Sequence, residues 1–408
     1  MRPKLRLGAP YWLSGVPTRR ARPSLRRDLD VDVAVVGGGV TGCTLAYFLA
    51  QAGARVALFE AKRVGQGSTA ASTALLMQEP DTDFGGLRAR YGEEAARHVW
   101  RAGRAAVTDV QRTLQALHID AAVHGLPSVY ITRDAREVSR LRREQQRRRA
   151  AGLPARWLSS SAVQELTGID AGGGILTMGN AQVDPYRASV GLADAAEAGG
   201  ARIFEGSPVR RMRGDRHGVE MAVGGHRVRA AWGVVATGYA TSAFKPLAGR
   251  FRLVDTYVMA TPRLSRRLRT EVGLGDAMVW DTAEPYHYVR WTPDHRLLFG
   301  GADRPHRPSS RRSALASKIQ ELRHDLAGFY PALAGIAPAY AWEGLFAATP
   351  DGLPYIGTHR RYPRHLFALG YGGNGMTFSF LAARILTRLI EGRPHPWDDF
   401  FSFRRTAS

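Results

Sequence analysis

Three glycines near the N-terminus have the spacing of a dinucleotide-binding turn. Gly37, Gly39 and Gly42 follow a β-branched run at 31–36 and precede apolar residues that recur at helical spacing. In such a turn the first glycine permits a tight bend, the second lets the backbone approach a pyrophosphate, and the third lets helix and strand pack closely. The helix N-terminus then presents unpaired N–H groups and a partial positive charge to phosphates.

An acidic residue stands where such a motif needs one. Glu60 ends a second predicted strand at 55–59. Its carboxylate can accept hydrogen bonds from both hydroxyls of a ribose and would repel a phosphate on that sugar. The segment 63–72, rich in glycine and other small residues, follows directly and lets the chain pass close to a long, flat cofactor. This segment favours FAD over NAD, although an ordinary loop is the alternative.

A second glycine-rich turn lies near the C-terminus. The apolar run 366–369 predicts a strand, 370–375 a loop, and Met376 the start of a helix. The loop amides and the helix N-terminus can point at a group on which negative charge collects, and such a positive end stabilises that charge. The sequence VVATG at 234–238 predicts another buried strand that runs into a tight turn.

Together these segments resemble the D-amino-acid-oxidase-like (DAO) superfamily of FAD-dependent oxidoreductases, whose members include glycine, sarcosine and gamma-glutamylputrescine oxidases. The resemblance extends over nearly the whole chain. Its four blocks are residues 35–60, 63–72, 234–238, and 351–357 with 366–376. The combination of an N-terminal dinucleotide motif with a late GGNGM loop is specific to this family.

The resemblance implies a set of FAD contacts. In this family the C-terminal loop lies along the isoalloxazine ring, and a valine after the strand at 202–205 holds the adenine through its backbone groups. Core packing is the alternative for Met376, and strand packing is the alternative for Val209. The predicted cofactor-binding residues are Gly37, Gly39, Val40, Thr41, Gly42, Glu60, Ala61, Gly67, Ser68, Thr69, Val209, Thr237, Gly238, Gly373, Asn374, Gly375 and Met376.

We expect the FAD to be bound without a covalent link. Relatives that attach their flavin use a cysteine near the C-terminus or a histidine after the second block. The single cysteine, Cys43, lies in the first predicted helix, and no histidine occurs between residues 1 and 96. One cysteine also excludes an intramolecular disulfide and a cysteine-based metal cluster, and no metal site is predicted.

Two strands in the second half of the chain resemble those that line the active site of the family. Arg290 matches an arginine that holds the substrate carboxylate in glycine oxidase, since a guanidinium pairs with both carboxylate oxygens. A surface or structural arginine is the alternative. A second carboxylate-binding arginine of glycine oxidase aligns with Phe346. This departure favours an amine, an N-substituted amino acid or a substrate with a distant carboxylate.

Aromatic residues are expected to form the rest of the pocket wall. Tyr257 and Tyr288 are predicted to join Arg290 in the catalytic site, with Trp280 and Tyr286 as further candidates. Such a wall desolvates an amine and favours its neutral form, so no dedicated acid or base is required. Core packing is the alternative for each ring.

The resemblance implies oxidation of the C–N bond of an amine, or of an N-substituted or D-amino acid. A hydride passes to flavin N5, and water then hydrolyses the imine. The electron acceptor is oxygen, a quinone or a carrier protein. Two other hypotheses stay open: a flavin dehydrogenase of a hydroxy acid on the same scaffold, and a non-enzymatic protein that binds nucleotides or nucleic acid.

The order of the predicted elements indicates an α/β (α+β) fold, with a Rossmann-like FAD-binding domain and a substrate domain built on an antiparallel sheet. Both domains are expected to be discontinuous. The predicted bounds are 1–30 for a basic N-terminal arm, 31–84, 155–240 and 340–400 for the FAD-binding domain, and 85–154 and 241–339 for the substrate domain. The arginine-rich segment 136–149 is expected to be a solvated helix.

The chain has 408 residues and a formal net charge of +21, from 57 Lys and Arg against 36 Asp and Glu. Such an excess is typical of proteins that bind nucleic acid or anionic membranes. The positive residues are mainly scattered arginines without a known recognition motif, so no specific nucleic-acid partner is expected. No apolar run approaches the roughly 18 residues of a membrane span. We expect a cytoplasmic protein, with a peripheral contact to anionic membranes left open.

Overall fold

A computed structural model describes residues 5–15, 19–240 and 242–406. The strands are β1 (Arg6–Gly8), β2 (Leu29–Val36), β3 (Val56–Phe59), β4 (Leu75–Leu76), β5 (His124–Thr132), β6 (Arg156–Leu158), β7 (Gly173–Gln182), β8 (Arg202–Phe204), β9 (Val209–Gly214), β10 (Val219–Val223), β11 (His226–Gly238), β12 (Arg252–Ala260), β13 (Met278–Asp281), β14 (Tyr288–Trp291), β15 (Leu297–Pro305), β16 (Tyr340–Ala348), β17 (Tyr355–His359) and β18 (Tyr362–Leu369). The helices are α1 (Val40–Gln51), α2 (Ser68–Ala71), α3 (Phe84–Tyr91), α4 (Glu93–Ala116), α5 (Val138–Ala150), α6 (Ser160–Thr167), α7 (Pro185–Ala198), α8 (Lys245–Ala248), α9 (Arg266–Val272), α10 (Arg311–Phe329) and α11 (Gly375–Ile390).

An eight-stranded sheet carries the dinucleotide-type elements. Its order is β17-β18-β11-β2-β3-β8, with β9 and β10 extending from β11 as an antiparallel pair. The strands β18, β11, β2, β3 and β8 run parallel. Val33, Ala34 and Val35 of β2 have no exposed surface, as expected for a central parallel strand covered on both faces. Helix α1 packs between α7 and α11 on one of these faces.

A ten-stranded, mainly antiparallel sheet forms the second layer. Its order is β1-β16-β12-β15-β14-β13-β5-β7-β4, and β6 pairs with the far side of β7. Helix α10 covers β12 and β15. The sheet has a separate apolar core that includes Met259, Phe299 and Leu322. Two sheets with separate cores confirm the predicted α/β (α+β) fold class.

The division into domains stays a prediction, and the sheets divide the chain differently from it in three places. Strand β4 lies within 31–84, strands β6 and β7 lie within 155–240, and β16 lies within 340–400, yet all four pair in the ten-stranded sheet. The sequence-based boundary did not anticipate these strands, because their short apolar runs do not show which sheet they join.

The N-terminal segment is part of the fold. Strand β1 pairs antiparallel with β16 at the edge of the ten-stranded sheet. Trp12 is 3% exposed, and its indole N–H donates to the Ser72 carbonyl at 2.7 Å. The predicted arm at 1–30 is therefore anchored by an edge strand and a buried tryptophan. Residues 1–4 and 16–18 of that arm lie outside the described residues.

The arginine-rich helix α5 differs from the expected solvated helix. Arg148 is fully buried, and its Nε donates to Glu144 Oε1 at 2.7 Å. Its guanidinium also lies 4.3 Å from the centroid of the Trp100 ring. One face of α5 thus packs inside the protein through a paired arginine, which a count of apolar residues does not reveal.

None of the helices in the described part of the chain is both long enough and apolar enough to cross a bilayer.

Candidate functional site

A cavity of about 1900 Å³ is lined by residues from both sheets. The carboxyl ends of β2, β3 and β11 open into it from the eight-stranded sheet. Strands β12, β13, β14 and β16 contribute residues from the ten-stranded sheet. In open parallel sheets, ligands bind outside the carboxyl ends of the strands. The cavity therefore lies where the sequence places a nucleotide cofactor.

The glycine turn between β2 and α1 has little room for side chains. Gly37 has φ +111°, which residues with a side chain rarely adopt, and a Cβ there would lie 2.6 Å from the Ala236 carbonyl oxygen. A Cβ on Gly42 would lie 1.9 Å from the Gly37 carbonyl oxygen. A Cβ on Gly39 would meet only Thr69 Oγ1, at 3.1 Å. Gly37 and Gly42 thus serve the turn and its packing, and Gly39 leaves space on the cavity side.

Glu60 stands beside this turn at the end of β3. Its Oε2 accepts from the Gly38 N–H at 2.8 Å, and its Oε1 accepts from the Lys62 N–H at 2.8 Å. Burial raises the pKa of Glu60, against the effect of these two N–H donors. The carboxyl lines the cavity next to the N-terminus of α1, where a ribose joined to a helix-bound pyrophosphate would lie.

The C-terminal loop brings a second helix N-terminus to the same cavity. After β18 the chain turns through residues 370–374 and enters α11 at Gly375. The Asn374 side-chain amide donates to the Glu79 carbonyl at 2.6 Å. The hydroxyls of Thr41 in α1 and Ser379 in α11 lie 2.8 Å apart. Two helix N-termini, each with partial positive charge, therefore face one cavity.

The structure brings the predicted cofactor residues together. All of them except Gly42 line the cavity, and Gly42 is buried where its backbone meets Gly37. Val209 lines it from the start of β9, and Thr237 and Gly238 line it at the end of β11. Two positive helix ends, a ribose-type acid, glycine turns that leave space for a ligand and a cavity of about 1900 Å³ fit an FAD molecule. The individual contacts of these residues with FAD stay predictions.

A row of aromatic rings lines the other part of the cavity. Tyr130 and Trp280 stack with centroids 3.8 Å apart, and Trp280 meets Tyr286 edge-on at 6.3 Å. Tyr286 and Tyr288 follow at 5.8 Å. All four rings line the cavity, as does Phe346. Burial raises the pKa of Tyr286 and of Tyr288 well above the ordinary value, so both phenols keep their protons.

Arg290 does not line the cavity, contrary to the sequence-based expectation. It is 1% exposed, donates to the Val183 carbonyl at 2.9 Å, and lies 4.9 Å from the Trp12 ring centroid. Tyr288 is on the same face of β14, but Arg290 is about 7 Å further along the strand, beneath the N-terminal segment. Burial lowers the pKa of Arg290 to about 9. The position of Arg290 in the structure fits the alternative interpretation, in which it is a structural arginine.

Tyr257 also lies outside the cavity. It follows Thr256 on β12, and successive side chains of a strand point to opposite faces. Thr256 lines the cavity, where its hydroxyl lies 3.1 Å from the Tyr288 hydroxyl. Tyr257 therefore faces the other way and accepts a hydrogen bond from Arg304 Nε at 2.8 Å. Of the three predicted catalytic residues, Tyr288 alone lines the cavity.

Sequence reasoning missed an acidic residue in the cavity. Asp81 accepts a hydrogen bond from the Gly373 N–H at 2.9 Å and lines the cavity. Desolvation raises its pKa to about 6, against the effect of that N–H donor. Asp81 and Gly373 are far apart in sequence, so no local pattern reveals the contact. The segment 77–81, which runs beside the C-terminal loop, was not among the predicted site residues.

Comparison with known proteins identifies relatives of the whole chain. Residues 32–389 match the family described as FAD-dependent oxidoreductase (DAO). The gamma-glutamylputrescine oxidoreductase of Escherichia coli (strain K12) is 26% identical over 384 residues, which cover 92% of this chain and 87% of that protein. The glycine oxidase of Geobacillus kaustophilus (strain HTA426) is 26% identical over 371 residues, which cover 90% and 94%.

The fold has a counterpart among solved structures. The crystal structure of glycine oxidase from Geobacillus kaustophilus matches with a TM-score of 0.79 at 23% identity. The match covers 93% of this chain and 100% of that chain. Similarity at this level of identity shows a shared fold.

Proposed function

Because the chain belongs to the DAO family of FAD-dependent oxidoreductases, we propose that it oxidises the C–N bond of an amine or an amino acid. The observation that carries this proposal is the continuity of the cavity. It joins the glycine turns and Glu60 to a wall of four aromatic rings. Relatives along the whole chain include an oxidoreductase of gamma-glutamylputrescine and oxidases of glycine.

The residues on the eight-stranded side would hold the cofactor. The N-terminus of α1 would face the pyrophosphate, Glu60 the ribose, and the N-terminus of α11 the flavin ring, where its positive end favours the reduced state. FAD, when bound there, supplies the acceptor for a hydride from the carbon next to the nitrogen. No cysteine or histidine of the cavity is proposed to link it covalently.

The aromatic side would prepare the substrate. The rings of Trp280, Tyr286 and Tyr288 exclude water from the carbon that loses the hydride, and a dry environment favours the neutral amine that can react. The protonated phenols of both tyrosines act as hydrogen-bond donors. Water in the outer part of the cavity or in solution then hydrolyses the imine product.

Anaerobic reduction of the bound flavin tests this function. The purified yellow holoenzyme is mixed without oxygen with amines, D- and L-amino acids, N-methylated amino acids and hydroxy acids, and the visible flavin absorbance is followed. Bleaching by at least one amine or amino acid is expected. Bleaching by hydroxy acids alone would replace the proposal by the hydroxy-acid alternative. Readmitting air or a soluble quinone then distinguishes the electron acceptors.

A matched pair of tyrosine variants locates the reaction. Tyr288→Phe removes a phenol that lines the cavity, and Tyr257→Phe removes one on the opposite face of the same sheet. Loss of one hydrogen bond of about 1 kcal/mol should change kcat/KM about fivefold in Tyr288→Phe. Tyr257→Phe should keep the wild-type value. Equal effects in both variants would place the chemistry elsewhere.

A further inference from the structure

The substrate part of the cavity contains a carboxyl group without a positive partner. Asp81 Oδ2 accepts from the Gly373 N–H at 2.9 Å. Among the residues that the structure describes, no arginine, lysine or histidine forms an ion pair with Asp81. Asp81 is exposed to the cavity, so its carboxyl can meet a ligand there. A ligand that displaces water from such a carboxylate binds well only if it brings a compensating positive charge. Asp81 is thus suited to a cationic ligand.

A second carboxyl lies close behind the first. Asp303 is on β15 beside Thr256, and its Oδ1 is buried without a hydrogen-bond partner within the described ranges. Burial, together with the nearby charge of Asp81, raises the pKa of Asp303 to about 6. Asp303 does not line the cavity, so it can act on a ligand there only through its charge, which Lys318 and His287 partly offset. Its charge has the same sign as that of Asp81 and adds to the negative field on this side of the cavity.

Aromatic rings stand beside these carboxyls. A Cβ on Gly373 would lie 2.9 Å from Asp81 Oδ1 and 2.4 Å from the Tyr286 hydroxyl oxygen, so Asp81 and Tyr286 flank the same glycine. Trp280 and Tyr288 adjoin Tyr286 on either side. An ammonium ion is attracted to the faces of such rings, and aromatic enclosures bind alkylated ammonium ions. The rings and the carboxyls thus favour the same ligand charge.

The arginines that would bind a substrate carboxylate are engaged elsewhere. Arg290 lies under Trp12, outside the cavity. Arg133 and Arg140 do line the cavity. Arg133 donates to the Gly328 carbonyl at 2.8 Å, and Arg140 is held by Glu137. Phe346 is apolar. Arg140 also contacts Tyr130 at the end of the aromatic row, where Asp83 and Glu137 neutralise it, and within the described residues neither Arg133 nor Arg140 forms an ion pair with Asp81.

We propose that the substrate part of the cavity binds an organic ammonium ion, held by Asp81 and the faces of Trp280, Tyr286 and Tyr288. This inference rests on the proposed amine oxidation and narrows its substrate to an amine with no carboxylate on the reacting carbon. The amine binds as its ammonium ion, and the Asp81 carboxylate then takes one proton from it, which leaves the neutral amine that can react. Asp303 reinforces the negative field, and Gly373 leaves the space that any side chain would fill. Alpha-amino acids should bind more weakly, because Asp81 would repel their carboxylate.

A binding experiment tests the proposal without turnover. The oxidised holoenzyme is titrated with tetramethylammonium and with pivalate, two ions of similar shape and opposite charge, and the change in visible flavin absorbance gives each Kd. Tetramethylammonium should bind more tightly than pivalate. Asp81→Asn should weaken tetramethylammonium binding about 10- to 100-fold, the usual effect of removing a charged partner in a desolvated site.

Two further variants act as controls. Glu284→Gln removes a negative charge from an exposed residue of the same cavity and should keep the affinity within about twofold. Tyr286→Phe keeps the ring face and should bind tetramethylammonium with the wild-type affinity. Tyr286→Leu removes the ring face and should bind it more weakly. If Asp81→Asn loses its flavin, Asp303→Asn replaces it, with a weaker but measurable loss expected.

The outcomes separate this inference from the proposed function. Tighter binding of pivalate, or unchanged tetramethylammonium binding in both aspartate variants, would overturn the ammonium site even if some amino acid bleaches the flavin. Failure of every amine and amino acid to bleach the flavin would overturn the proposed function, whatever the titrations show.

Discussion

Replacing Gly42 by alanine should damage the fold and the cofactor site together. The added Cβ would lie 1.9 Å from the Gly37 carbonyl oxygen, whereas a close carbon–oxygen contact is about 3.3 Å. Helix α1 or the turn would have to move by roughly 1.4 Å. Gly42 is buried and Gly37 is half-buried, and the atom that the Cβ would meet belongs to the backbone. Because α1 is also packed against α7 and α11, no flexible side chain can absorb the shift.

The cost follows from this overlap. Overpacking a buried site typically lowers the free energy of unfolding by about 1–3 kcal/mol. A clash with backbone atoms should lower it by about 3 kcal/mol or more. With an unfolding entropy of about 2.1 cal/mol/K per residue, that loss lowers the Tm of a chain of this length by about 3 to 4 °C. The Gly37 peptide would also leave the position that faces the cofactor, so the purified variant should contain little FAD.

Two other glycines provide the comparison. Gly39→Ala meets only the side-chain oxygen of Thr69, so the Tm without FAD should stay within about 1 °C while FAD affinity falls at least about tenfold. Gly249→Ala meets no atom within 4 Å and should change neither quantity. The assay is thermal unfolding of the flavin-free protein, with a titration of FAD. A Gly42→Ala protein with wild-type Tm and full FAD content would refute the reasoning.

Three further predictions concern the segments around the cavity. Arg290→Met should lower the free energy of unfolding by about 1–3 kcal/mol through loss of the bond to the Val183 carbonyl, but leave the KM of a bleaching substrate within about twofold; a KM effect without destabilisation would contradict this. Trp12→Ala should cost about 3–5 kcal/mol in urea unfolding because the buried indole anchors the N-terminal segment, and an unchanged midpoint would count against that anchor. The affinity for tetramethylammonium should rise as the pH increases through about 6 and level off above it, because Asp81 is neutral below its raised pKa and negative above it; Asp81→Asn should give a flatter profile, and affinity that falls with pH would contradict the assignment.

The sequence could predict which residues line the side of the cavity next to the eight-stranded sheet, because its signals there are local. The glycines of the first turn, Glu60 and the loop at 370–375 each lie next to the strand or helix that positions them. The carboxyl ends of parallel strands then meet at one edge of the sheet, whatever the rest of the chain does. For this reason almost every predicted cofactor residue lines the cavity.

Which residues line the side of the cavity next to the ten-stranded sheet depends on contacts that the spacing of residues in the sequence does not reveal. The alternation along β14 places Tyr288 and Arg290 on one face, but only the packing of Trp12 over that strand decides that Arg290 is covered and Tyr288 is not. Tyr257 lies on the face away from the cavity because the strand register, and not its aromatic character, sets which face it takes.

The sequence by itself determined the family, the fold class and the edge of the sheet where a dinucleotide would lie, because each rests on a short, contiguous pattern. Only the tertiary structure shows which charged side chains line the cavity. It brought Asp81 against Gly373 from the far end of the chain and left Arg290 beneath the N-terminal segment. Electrostatic complementarity depends on distances between side chains from different elements, and only the assembled sheets fix those distances.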